Sequence, residues 1–162
     1  MTESHSSTPT VIAGWREWVR LPAMGVGPVK AKLDTGARTS SLHAFELEEF
    51  ECDGAEWVRF SVHPWQRSDE DAVLVECPVL DRRMVRSSTG HEQERYAVTT
   101  EIEILGRTIT TELTLSRRDE MGFRMLIGRQ ALEQGFLVDS SRSYLGGRPS
   151  RRTRRLNRGR EA

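Results

Sequence analysis

Asp34-Thr35-Gly36 puts a carboxylate beside a small hydroxyl and a glycine, just after the alternating run PVKAKL at 28–33. A carboxylate held this way can take a proton from water, or, when protonated, polarise a carbonyl. The same tripeptide also makes an ordinary turn, because Asp and Gly are favoured turn residues. Its surroundings have more to say. Leu33 precedes it, Ala37 and the hydroxyls of Thr39, Ser40 and Ser41 follow, and much later Met125, Leu126 and Ile127 lead into Gly128-Arg129.

Other chemistries find less support. The histidines are His5, His43, His63 and His91. HEQER at 91–95 misses the zinc-peptidase pattern H-E-x-x-H, since Arg95 stands where the second imidazole belongs. No Cys or His cluster supplies the missing ligand, so no metal residues are expected. Cys52 and Cys77 form no CxxC pair and read as reduced thiols. There is no G-x-S-x-G elbow and no phosphate-binding glycine loop.

At 162 residues the chain has the length of one domain with one core. Its 24 basic and 24 acidic residues balance, but unevenly. Residues 146–162 hold seven arginines and one acid, Glu161, so an acidic body carries a basic tail. That tail is expected to be a disordered, solvated end, with contact to nucleic acid or to an acidic partner as the rival reading. Residues 1–10 are expected to be disordered and 11–145 to form the domain. The opening residues lack the apolar run of a secretory signal and no stretch reaches membrane-spanning length, so a cytoplasmic protein with no membrane contact is expected.

The elements that must hold Asp34 are short strands. WREWVRLP, PVKAKL, AEWVRFSV and DAVLVECPVL each read as one. The clearest signal is a hairpin. Val98, Thr100, Ile102 and Ile104 alternate, a turn at Gly106 follows, and Ile109, Thr111, Leu113 and Leu115 alternate back. One short helix fits GRQALEQG at 128–135, followed by a strand FLVD. Many strands and one late helix give an all-β barrel or sandwich.

The ordered set Asp34-Thr35-Gly36-Ala37, a polar hairpin candidate RRMVRSSTGHEQERY, the hairpin 98–115 and Ile127-Gly128-Arg129 resembles the retropepsins, the single-domain aspartic peptidases. AKLDTGARTSSLHA, RSSTGHEQERY and IGRQAL are more similar still to a prokaryotic retropepsin-like family labelled "ATP-dependent zinc protease". That family is associated with RimK-type ligases, which add glutamates to a ribosomal protein. The resemblance implies an all-β retropepsin-like barrel with one short C-terminal helix, working as a homodimer and needing no cofactor. Asp34, Thr35 and Gly36 would be catalytic. One Asp-Thr-Gly per chain would require a two-fold pair of chains to bring two carboxylates together. Such a pair cannot readily lose both protons, so one member serves as base and the other as acid. Thr35 would bond across the axis. Ala37, Arg38, Arg129 and the hairpin tip Ser87, Ser88, Thr89, Gly90 and His91 would line the substrate cleft.

One departure bears on substrate. Viral members usually carry an acid after the alanine, where it pairs with the later arginine; this chain has Arg38 there. A substrate carboxylate could take that place, because guanidinium binds carboxylate in bidentate fashion. The resulting expectation is an aspartic endopeptidase trimming acidic or glutamate-tailed peptides or proteins, in association with a RimK-type ligase. A zinc-dependent peptidase, as the family label has it, and a non-catalytic peptide-binding module are the rivals.

Overall fold

The computed structural model describes residues 9–66, 70–86, 89–117 and 122–159. The strands are β1 (Val11–Gly14), β2 (Arg16–Leu21), β3 (Val26–Leu33), β4 (Ser40–His43), β5 (Phe45–Cys52), β6 (Ala55–Val62), β7 (Val73–Pro78), β8 (Asp81–Arg86), β9 (Glu92–Ile104), β10 (Arg107–Ser116), β11 (Met125–Ile127) and β12 (Phe136–Asp139). Helix α1 (Arg129–Leu132) follows β11, and α2 (Arg151–Asn157) follows β12.

Six strands close into a barrel in the order β10-β4-β11-β3-β2-β9, with β9 pairing back to β10 and β8 extending the sheet beyond β9. Closure removes the open edges that a flat sheet leaves unpaired. The β9–β10 hairpin follows the alternation read from sequence. Val98, Ile102, Ile104, Ile109, Leu113 and Leu115 are all buried. Its two-residue turn, Leu105-Gly106, has positive φ at both positions (53° and 76°). That geometry matches the twist of the flanking strands. Strands β5, β6 and β7 form a separate antiparallel sheet. Val58, Phe60, Val62 and Val75 from this sheet join the barrel residues in one apolar core.

Cys77 sits on β7, half-buried, and burial pushes its thiol up to about 11. Only the thiolate is nucleophilic. Alkylation of Cys77 by iodoacetamide should therefore be slow at pH 8 and should rise roughly tenfold per pH unit up to about pH 10. Peptide mapping of the alkylated protein measures this, and fast labelling of Cys77 at pH 8 would contradict the burial.

Among the described residues a second α-helix, α2, stands beside the one expected, and it lies within the segment 146–162 that was expected to be a disordered tail. Helix α2 starts at Ser150, whose hydroxyl accepts from the Thr153 amide. It buries Leu156 and Asn157, and the Asn157 amide exchanges hydrogen bonds with Gln66. Arginine density concealed these two anchors. Residues 140–150 form a strap between β12 and α2, across the expected domain end at 145. Fully buried Glu17 on β2 accepts from the amides of Gly14, Leu145 and Gly146 at 2.7, 2.9 and 3.0 Å. Gly14 lets the strap pass closely, since a Cβ there would sit 2.6 Å from the Arg142 carbonyl oxygen. Most of the expected disordered start, residues 1–8, lies outside the described residues.

Candidate active site

Strand β3 carries Val29, Ala31 and Leu33 inward, and Asp34 follows its last residue. It runs parallel to β11, with Leu33 opposite Ile127. The Asp34 amide donates to the Ile127 carbonyl at 2.8 Å, so the turn is seated on β11, the apolar run 125–127. Asp34 is half-buried. Its Oδ1 accepts from the Gly36 amide at 2.9 Å, while Oδ2 has no hydrogen-bond partner among the described residues. The turn thus presents one fixed and one open carboxylate oxygen.

The start of α1 locks this turn from the other side. The Arg129 and Gln130 amides donate to the carbonyls of Ala37 and Arg38 at 2.7 and 3.1 Å. The Arg129 guanidinium donates to the Thr35 carbonyl at 3.2 Å. A Cβ on Gly128 would lie 2.4 Å from the Thr39 carbonyl oxygen, so only glycine fits between the two segments. Arg38 is exposed. Among the described residues, neither Arg38 nor Arg129 has a carboxylate within ion-pair range.

Asp34, Thr35, Gly36, Ala37, Arg38 and Arg129 are therefore brought into one hydrogen-bonded unit. The polar hairpin expected over 82–96 is present as β8 and β9, with Arg86 opposite Glu92. At its tip Thr89, Gly90 and His91 are exposed, and Gly90 has φ +84°. Among the described residues neither Gly90 nor His91 bonds to the Asp34 unit, and Ser87 and Ser88 lie outside the described residues.

Ser40 was missed as a site residue. It is buried on β4, and its Oγ accepts from the Gly128 amide at 3.0 Å. Its in-phase spacing with buried Leu42 was the available signal. His43, read as one of four scattered histidines, is also buried. Its ring nitrogens lie 3.1 Å from the Arg117 carbonyl and 3.2 Å from the Arg124 guanidinium. Among the described residues no three His, Cys, Asp or Glu side chains converge as a metal-binding group. Among the described residues no helix is long and apolar enough to cross a membrane.

A closed six-strand barrel with Asp-Thr-Gly seated on the strand that enters Ile-Gly-Arg is the architecture of a retropepsin-like protein. The chain belongs to the RimB-like family, whose model, described as retropepsin-like aspartic endopeptidase RimB, matches residues 12–149. It is 44% identical over 133 residues to a protein of Shewanella pealeana named probable alpha-L-glutamate ligase, covering 82% of this chain and 29% of that one. A Desulfotalea psychrophila protein of the same name is 41% identical over 128 residues, covering 79% and 28%. The chain thus spans under a third of the length of these curated relatives. A solved structure from Legionella pneumophila, a protein of unknown function, superposes with TM-score 0.69 at 25% identity, covering 84% of this chain and 98% of that one.

Proposed function

We propose that the protein is a homodimeric aspartic endopeptidase that trims acidic, glutamate-rich chain ends. The observation that carries this reading is the Asp34 turn, where main-chain bonds hold the carboxylate and leave Oδ2 open. In a two-fold pair, two such carboxylates share one proton. One activates a water and the other polarises the scissile carbonyl. The Thr35 hydroxyl is free to bond across the axis, and the β8–β9 hairpin is the element able to cover a bound peptide.

A dimer face is available on the terminal ribbon. Among the described residues β1 and β12 pair parallel as a two-stranded sheet, and each keeps one edge unpaired by any strand. Ile12 and Leu137 are register partners and are 46% and 59% exposed. Two-stranded sheets gain stability from further strands, and an exposed apolar pair beside open edges favours a second copy.

The substrate class rests on charge. Arg38 and Arg129 add positive charge at the turn, with no carboxylate in ion-pair range of either among the described residues. The ligase names of the relatives accord with a partner enzyme that makes glutamate chains. A charge-assisted contact contributes about 1.5–3 kcal/mol, roughly ten- to a hundredfold in turnover. Arg38→Ala should therefore slow cleavage of a Glu-rich peptide by about that factor, and a matched Gln-rich peptide much less. Equal losses on the two peptides, measured at fixed salt, would remove the acidic-substrate reading.

A further inference from the structure

Away from Asp34, the outer face of the barrel carries a cavity of about 310 Å3 walled by cations from three parts of the chain. Arg16 and Lys30 come from β2 and β3, Arg148 from the strap, and Arg154 and Arg158 from α2 and its end. A second cavity of about 130 Å3, lined wholly by Arg151, Arg154, Arg155 and Arg158, shares two of these side chains. Among the described residues no carboxylate pairs with any of these seven cations.

Aromatic rings hold the like charges together. The Tyr144 ring lies 4.9 Å from the guanidinium of Arg16, 4.9 Å from that of Arg148 and 5.8 Å from the Lys30 ammonium. Lys30 is also 5.7 Å from the Trp18 ring. Cation–π contacts orient charges without neutralising them. One donor is left over: Arg154 Nε is enclosed and has no hydrogen-bond partner. Buried N–H groups nearly always have one, so an acceptor from outside would complete the set.

We infer that this face binds the phosphate backbone of a single-stranded nucleic acid. Six of the seven cations are arginine, the side chain whose planar fork matches phosphate. The charge continues from the cavity along α2, as a repeating anion requires. Trp18 and Tyr144 add ring surface, which nucleobases use and a string of carboxylates does not. A concave cavity admits a flexible single strand more readily than a duplex. The inference does not rest on Asp34 being catalytic.

Fluorescence anisotropy of a labelled oligouridylate with the full chain tests it. Saturable binding is expected, with log K falling against log salt by about 0.7 for each phosphate neutralised. Lys30→Ala and Arg158→Ala should each weaken binding about three- to tenfold and flatten that slope by about 0.7. Lys30 lies on a barrel strand, so its variant stays informative even if the Arg158 change disturbs α2. The proposal is overturned by any of four results: no saturable binding at low salt, loss-free behaviour of both variants, tighter binding of an oligoglutamate of equal charge, or equal competition by free uridine triphosphate.

Discussion

Asp34→Asn should lower peptide cleavage by at least about a thousandfold while leaving the circular dichroism spectrum unchanged. General acid–base groups contribute about 10²–10⁴ in rate, and in this arrangement one residue supplies both the acid and the base. The amide can still accept the Gly36 N–H through its oxygen, so the turn keeps its shape. It can neither take a proton from water nor hold the shared one. A mixing experiment tests the pairing itself. If Asp34 works as a two-fold dyad, equal amounts of exchanging wild-type and Asp34→Asn chains should give about half the activity of the wild-type chains alone, since mixed pairs are dead. Activity that simply adds would mean one chain suffices. Wild-type-like turnover by the variant would end the aspartic mechanism.

Glu17→Ala should be the most damaging change to stability away from the Asp34 turn. Three main-chain donors, on Gly14, Leu145 and Gly146, lose their acceptor at once. Each buried unsatisfied donor costs about 1–3 kcal/mol, so a loss of roughly 3 kcal/mol or more is expected even after the strap loosens and rehydrates part of the site. Glu17→Gln keeps a single accepting oxygen and turns an NH2 toward the remaining donor. It should cost about half as much, on the order of 1–2 kcal/mol. Urea titrations of the three proteins measure the order. Equal stability of Glu17→Ala and the parent would show that the strap is held by something else.

Much of the site was legible in the sequence because its parts are local. Asp34 to Ala37 and Ile127 to Arg129 are short runs whose residue types announce turn, strand end and helix start. The hairpin 98–115 was legible for the same reason: period two survives along both arms. The missed features all depend on distant contacts. Glu17 is in phase with buried Val19 and Leu21, a signal that its charge obscured, and its partners lie at the other end of the chain. Ser40 reads as one more flanking hydroxyl until Gly128 is packed against it. Helix α2 hides in a run of arginines because just two of its residues are buried, and one of them needs Gln66 as a partner.

The parallel pairing of β3 with β11 also fixes a timetable. Asp34 is made well before Ile127, so its amide has no partner until Ile127 has left the ribosome, and β1 waits longer still for β12. Contacts so far apart in sequence close slowly, because loop entropy must be overcome first. During translation the Asp-Thr-Gly segment is therefore a loose loop on an unclosed sheet, with its carboxylate unseated. The Asp34 turn is thus withheld by topology: it takes its shape only when nearly the whole domain has emerged.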